Sequence, residues 1–464
     1  MIRDLKLQPC THEPCLYYSN DYNGTGKKVL FLRQVDDFAI SCEDKATALD
    51  VIEKINSKMT IVVKQLGLID RFNGVDVLQT RNFIKIYNKT YIEKILVRHD
   101  WIHNEKEYNH QFPTPMLSDN NYQRKLENQA IPTDDEIKKM ESDMGFGYRQ
   151  AIGELIYALV TCRPDISFPV IKLAQYSTKP TLIHFEAIKN IYRYLNATKN
   201  EGIHYWRDAP RSDLPYHPNP ECKQDTNYDE HSISTRRQDN KELLVGAVDS
   251  DYAGDTTHRR SVTGIILKLA GGTVLYKSKF QDTCAMSSTE AEFTAAAEAG
   301  KYILYVRSLL EQIGIPQHHA TILYEDNQGA LLMTNAQQPT KRTRHMDIKD
   351  FVLQDWVLQD LIRLDRITTN DNYADVMTKA TGRTLFYRHM NFILGKIPPK
   401  YTGLHEARIS AITQARTNKK RLRPSRENQS GADDLSLRLE HGRVLYGPPE
   451  ARYIRRLSQI SDTI

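Results

Sequence analysis

Four acidic residues in the second half of the chain stand where a carboxylate can be aimed rather than merely exposed. Asp249 closes the apolar run Leu243–Val248, and Glu292 lies in the first turns of a long helical pattern over 288–313. Asp326 follows the run Thr321–Tyr324, and Asp375 opens a short helical stretch, Tyr373–Lys379. Acids at strand ends and helix starts can converge on one edge of a sheet. There they could hold two divalent cations, which activate a water and stabilise the leaving oxygen of a phosphodiester. Taken singly, each could as well be a solvated acid or a helix cap. Spacing separates the two at one position. Ala296, Ala299, Ile303, Val306 and Leu310 follow Glu292 at i+4, i+7, i+11, i+14 and i+18, so Glu292 ends a buried stripe. Glu290 points elsewhere, and Ser287-x-x-Glu290 fits a capping box, which gives Glu290 a structural task.

In the first half, Asp36-Asp37 sits at a bend between Val29–Arg33 and Phe38–Cys42, two strands by composition. Neighbouring acids repel, so a metal, a cation or water must compensate them. Before them, Asn23-Gly24-Thr25-Gly26-Lys27 has the glycines of a phosphate loop but neither its full spacing nor a following helix, and reads as a hairpin turn.

These residues need elements to position them. Helical spacing occurs at 46–58, 91–97, 148–160 and 184–196, the last two separated by Arg163-Pro164-Asp165 and Lys179-Pro180. Residues 104–145 are polar and poorly patterned. Residues 207–242, with four prolines, many charges and no hydrophobic period, read as a linker. Beyond it comes a strand at 243–248, a hairpin of Val262–Leu269 and Thr273–Lys277 turning at Gly271-Gly272, the long helix, a strand at 321–324, a helix at 347–362 and a strand at 364–368.

The segments FLRQVDDFAI, YRQAIGELIYALVTCRPDISFPV, HFEAIKNIYRYLNATKNEGIHY, AVDSDYAGD, SSTEAEFTAAAEA, YEDNQGALLM, KRTRHMDIKDFV and YADVMTKA occur in that order. Together, from about residue 13 to 395, they resemble the Pol polyprotein of copia-type retrotransposons: the latter part of a reverse transcriptase followed by a ribonuclease H domain. The resemblance implies a multidomain α+β and α/β chain. It would comprise a partial reverse-transcriptase palm at 1–100, a thumb- or connection-like helical region at 101–206, the linker 207–242, a ribonuclease H-like mixed sheet flanked by helices at 243–395, and a basic tail at 396–464. It implies Mg²⁺ or Mn²⁺ as cofactor. The ribonuclease H acids fall on Asp249, Glu292, Asp326 and Asp375, and the palm ligands on Asp36 and Asp37. Gln34 stands at a position that contacts primer or nucleotide, and Lys341, Arg342 and Arg344 could grip backbone phosphates. The implied partners are an RNA–DNA hybrid and the remainder of the polyprotein.

The chain departs from the family pattern in three places. Gln34 replaces the tyrosine of Y-V-D-D. The family's first polymerase aspartate lies well upstream of the double Asp, and 35 residues precede Asp36 here, so polymerisation is not expected of the chain alone. The loop histidine of many ribonucleases H is missing from Ile367-Thr368-Thr369-Asn370, and His345 lies elsewhere. The leading expectation is therefore metal-dependent hydrolysis of RNA in a hybrid; the alternative is a non-catalytic remnant that binds nucleic acid. A transposase-type nuclease would carry its acids in the order D, D, E, whereas Glu292 lies between Asp249 and Asp326.

Composition is compatible with this. Of 464 residues 40% are hydrophobic, enough for real cores, and no apolar run approaches the ~18 residues of a membrane helix. The start, Met1-Ile2-Arg3-Asp4, has no apolar signal region, and the six cysteines form no C-x-x-C pair, so an intracellular setting, cytoplasmic or nuclear, is expected. The net charge of +5 resides in residues 401–464, densest at Lys419-Lys420-Arg421-Leu422-Arg423. The polar, proline-rich composition of 207–242 and of the tail cannot offset the entropy of ordering. Limited proteolysis is expected to cut first in those two segments; first cuts inside 243–395 would contradict the division.

Overall fold

The computed structural model describes residues 5–59, 62–64, 66–80, 83–101, 114–206, 244–254, 259–334 and 352–396. Residues 207–243, 335–351 and those from 397 lie outside the described residues, and with them Lys341, Arg342 and Arg344.

Near the amino terminus β1 (Gln8–Pro9), β2 (Leu16–Ser19), β3 (Val29–Gln34) and β4 (Asp37–Cys42) form an antiparallel sheet in chain order. The turn from β2 to β3 places Asn23, Gly24 and Gly26 at positive φ, and Asp21 Oδ1 accepts from the Gly26 N–H at 2.6 Å. It is a hairpin turn, and Lys28 donates to the Gly314 carbonyl at 2.6 Å. The helix Lys45–Asn56 covers one face of the sheet. Asp44 caps it by accepting from the Thr47 N–H at 2.8 Å, a contact worth ~1 kcal/mol. Val51 and Ile55 pack with Val29 and Phe31.

A second antiparallel sheet consists of β5 (Arg71–Phe72), β6 (Val75–Gln79), β7 (Phe83–Tyr87) and β8 (Gly202–Trp206). Between β7 and β8 the chain forms helices at Lys89–Arg98, Asn120–Glu127, Asp134–Met144, Tyr148–Cys162, Ser167–Ala174 and Leu182–Ala197. Two of these fall in the stretch that carries no apolar period. Their signals are caps: Asp119 accepts from the Tyr122 N–H, and Thr133 with Glu136 closes a capping box. The separator Arg163-Pro164-Asp165 is itself core. The Arg163 and Asp165 side chains, both fully buried, pair at 2.6 Å, and Tyr194 donates to Asp165 at 2.8 Å.

The third sheet is mixed, in the order β11 (Gly272–Phe280), β10 (Val262–Leu269), β9 (Val245–Asp251), β12 (Thr321–Glu325), β13 (Ile362–Arg366). The first three strands are antiparallel; β9, β12 and β13 are parallel. Both faces of β9 are buried, as in an α/β sheet covered on two sides. Val248 faces the core of the long helix Ser288–Gln312, with Ile265, Leu267, Leu323 and Ala296. Ala247 faces the other core, which holds Leu155, Ile188 and Leu195 of the preceding helices and Met377, Phe386 and Met390.

That second core runs unbroken from Ile92 to Leu394. Backbone and side-chain bonds stitch it across the edge: the Trp206 N–H donates to Ala270, the Trp206 indole to Gly395 at 2.8 Å, and Tyr205 to Thr273 at 2.6 Å. Residues 92–206 and 244–394 thus share one apolar interior. They are expected to unfold in a single transition, with tryptophan fluorescence and far-ultraviolet dichroism coincident in urea. Two resolved transitions would show that the shared core does not couple them.

Candidate active site

The parallel pairing of β9 and β12 sends both carboxyl ends to the same sheet edge, the usual place for a site in such sheets. Tyr324 pairs with Ala247, so continuing that register by two residues sets Asp326 beside Asp249. The long helix starts over this edge. Gln281 anchors it there: its amide donates to the Ala291 carbonyl at 2.9 Å and to Thr263 at 3.1 Å, locking the first turn to β10. Glu292 follows directly. One oxygen from each of Asp249, Glu292 and Asp326 lies within 4.8 Å of the others.

Asp375 arrives from the opposite face. It sits in the 3-10 turn Tyr373–Met377, whose start is tied to β9 by the buried Asn372: the side-chain amide donates to the Val248 carbonyl at 2.9 Å, while its Oδ1 accepts from the Ala374 N–H. Gly264, paired with Asp249, permits the close approach. A Cβ there would fall 2.7 Å from both Met377 Cβ and Thr378 Cγ2. Thr378 donates its hydroxyl to Asp249 Oδ2, and Lys379 reaches Asp375 Oδ1 at 3.1 Å and Asp249 Oδ2 at 3.9 Å.

The four acids picked by position therefore meet, and a fifth that sequence reasoning missed joins them. Glu325 is fully buried on the strand face shared with Leu323, and its Oε1 accepts from the Asn327 N–H at 2.9 Å. Nothing local marked Glu325, Gln281 or Asn372, and for Lys379 spacing offered only the i,i+4 pair with Asp375; their roles arise when distant segments cross. The capping box expected at Glu290 is half made. Ser287 Oγ accepts from the Glu290 N–H, but the Glu290 carboxylate accepts from Met286, one residue earlier, because the chain bends into the helix there.

Burial lifts Glu292 far above the usual carboxylate range, and Glu325, Asp249 and Asp326 push the same way. Glu325 is raised by burial and by Asp326 against the pull of its backbone donors. Asp326 and Asp375 are raised by burial and then by Asp249, while Lys379 opposes both. Burial works against the charge on Lys379, but Asp249 and Asp375 outweigh it and hold the ammonium above its ordinary range. Among the described residues, Glu292 Oε2 and Glu325 Oε2 are buried and accept no hydrogen bond. An all-oxygen donor set with spare buried lone pairs fits a hard divalent cation such as Mg²⁺ or Mn²⁺.

The other predicted site residues stand apart. Gln34 and Asp37 face each other as the last pair of β3 and β4, and Val35-Asp36 make the two-residue turn. All four are exposed, and Val35 adopts a φ of 53°, uncommon for a β-branched residue. Among the described residues, the trio at 249, 292 and 326 is the one group of three acids within metal-ligand reach, so Asp36-Asp37 gathers no third acid. His318 and His319 are exposed.

No protein-family model matches the chain. It is 28% identical over 378 residues to the retrovirus-related Pol polyprotein from transposon TNT 1-94 of Nicotiana tabacum, covering 81% of this chain and 25% of that protein. It is 26% identical over 376 residues to the corresponding protein from transposon RE1 of Arabidopsis thaliana, covering 81% and 22%. A shorter relative is the secreted RxLR effector protein 161 of Plasmopara viticola, 34% identical over 152 residues, which are 33% of this chain and 85% of that one. The chain thus spans about a quarter of the length of the polyproteins it matches. No helix among the described residues is long and apolar enough to cross a membrane.

The site's electrostatics give a stability test. A carboxyl whose pKa is raised by folding stabilises fully below its unfolded value, about 4.3 for Glu, and loses that contribution as pH rises through the folded value. Glu292→Gln has no such proton to lose. In metal-free buffer at pH 8 the variant should be more stable than the parent by about 1–3 kcal/mol, the difference closing toward pH 4. Urea titrations at both pH values would measure it; a less stable variant at pH 8 would contradict the buried-charge account.

Proposed function

Because this chain is a relative of the copia-type retrotransposon Pol polyproteins, we propose that its clustered acids hydrolyse the RNA strand of an RNA–DNA hybrid with the aid of divalent metal. One observation carries the proposal: residues from β9, the long helix and the end of β12 bring three carboxylate oxygens within 4.8 Å, with Asp375 beside them. Under this proposal 243–395 is the ribonuclease H-like part, 1–100 a partial palm, and 101–206 a thumb- or connection-like helical region.

When bound, Mg²⁺ or Mn²⁺ would lower the pKa of a water and stabilise charge on the leaving oxygen. The residues do the holding. Asp249 belongs to both the trio and the Asp375 pair and would be shared between two ions. Glu292 and Asp326 would hold one ion with it, and Asp375 the other. Thr378 fixes the rotamer of Asp249 through its hydroxyl, and Gln281 and Asn372 hold the two flanking elements against the sheet. Hybrids would be recognised by backbone and ribose 2′-OH more than by base, with Lys341, Arg342 and Arg344 offered to phosphate. No polymerase step is assigned to Asp36 and Asp37, which would need further acids for a two-metal site; primer extension by the chain alone is not expected.

The full chain, which keeps the shared core intact, should cleave the RNA strand of a labelled hybrid in Mg²⁺ or Mn²⁺. Asp249→Asn and Asp326→Asn should slow cleavage by ~10²–10³-fold, Glu292→Gln nearly as much, Asp375→Asn less and Glu290→Gln little. Variants of Asp249, Glu292 and Asp326 that cut like the parent would end the two-metal reading. A folded parent inactive in both metals but retaining hybrid affinity would leave a nucleic-acid-binding remnant in its place.

A further inference from the structure

The acidic cluster has two unlike halves. In one, oxygens of Asp249, Glu292 and Asp326 face each other within 4.8 Å, and Glu292 Oε2 is buried without a hydrogen-bond partner among the described residues. In the other, the space between Asp249 Oδ2 and Asp375 Oδ1 already holds a cation: the Lys379 ammonium, 3.9 Å from the first and 3.1 Å from the second. A monovalent ammonium at that distance from two carboxylates occupies the ground on which a second divalent cation would have to bind.

We infer that Lys379 is an exchangeable occupant of the second cation position, so that the first divalent cation enters the three-acid half directly and the second must displace the lysine. The inference rests on reading the acids as a divalent-metal site. The local architecture suits such an exchange. The base of Lys379 is fixed, since its N–H donates to the Asp375 carbonyl at 3.1 Å and the preceding Thr378 is bonded to Asp249. The Lys379 side chain as a whole is 41% exposed, in contrast to the 4% of both carboxylates it pairs with, which leaves it a route to solvent while the backbone stays. A lysine is a compact charge on a flexible four-carbon stem, well suited to detach and be rehydrated. Its presence also offsets part of the charge at this edge before any metal arrives. The Asp249–Asp375 repulsion is screened locally, while the three-acid half is left strongly attractive to a dication.

The test measures binding of Mn²⁺ alone, without nucleic acid. The full chain, stripped of metal, is titrated with Mn²⁺, and free ion is followed by electron paramagnetic resonance. The parent should bind one ion tightly and a second weakly. Lys379→Met should tighten the second step at least ~10-fold more than the first, whereas Lys379→Arg, which keeps a cation there, should leave the gap between the steps unchanged. Lys379→Gln is a second neutral variant in case the methionine protein does not fold, as judged by its urea transition. A purely structural lysine would, when removed, weaken both steps or neither, and that result, or an unchanged ratio in both neutral variants, overturns the inference. Failure of the parent to bind any Mn²⁺ would overturn the underlying reading of the acids along with it.

Discussion

The constraint on which this structure turns is the confinement of like charge. Asp249, Glu292, Glu325, Asp326 and Asp375 are drawn to one edge of a sheet, and the lysine paired with them there is Lys379. Such a gathering opposes folding, because each buried carboxylate forgoes water and repels its neighbours. It persists because the elements that carry the acids are fixed by bonds that do not involve them. Gln281 pins the helix start, Asn372 pins the 3-10 turn, and Gly264 leaves the space in which that turn lies against β10. The stabilising work is done by the two apolar cores on either side of β9, and the edge of the sheet is where those cores are spent to keep charge in place.

How much of this was readable in the sequence depended on whether the signal was local. Glu292 could be picked over Glu290 because helical periodicity is a property of one segment, and the buried stripe through Ala296, Ala299, Ile303, Val306 and Leu310 is present as expected. Asp249 and Asp326 could be picked because they end strands whose apolar character shows in a few residues. Glu325 escaped notice because it looks like an ordinary polar strand end; its burial comes from elements packed over the strand that no local signal shows. Lys379 escaped because its partners are four and 130 positions away, and only the first could be inferred from spacing. The helices at 120–127 and 134–144 were missed for the opposite reason. The second buries no residue, so its evidence was confined to a capping box, and the apolar pattern that usually announces a helix was absent. The helix Arg383–Ile393, with Phe386, Met390 and Ile393 in the core, had the pattern but lay past the last recognised motif.

The first sheet and the third differ in how they present acids. Asp36, in the exposed turn, and Asp37, the first residue of β4, are both open to solvent, so their proximity places little demand on the fold. The acids of the third sheet are denied that water. The same residue type in adjacent positions therefore has opposite energetic consequences, decided by what lies over the end of the strand.

The edge bonds of β8 have a consequence of their own. Trp206 and Tyr205 bind Ala270, Gly395 and Thr273 directly, and Tyr276 reaches back to Leu159, so the two sides of the shared core are held by contacts independent of the peptide that joins them. Between Trp206 and Leu244 the covalent connection is thus redundant for cohesion. A backbone broken in that interval would leave two polypeptides still closed around one interior, with the acidic edge intact and the molecule distinguishable from the unbroken form only once it is denatured.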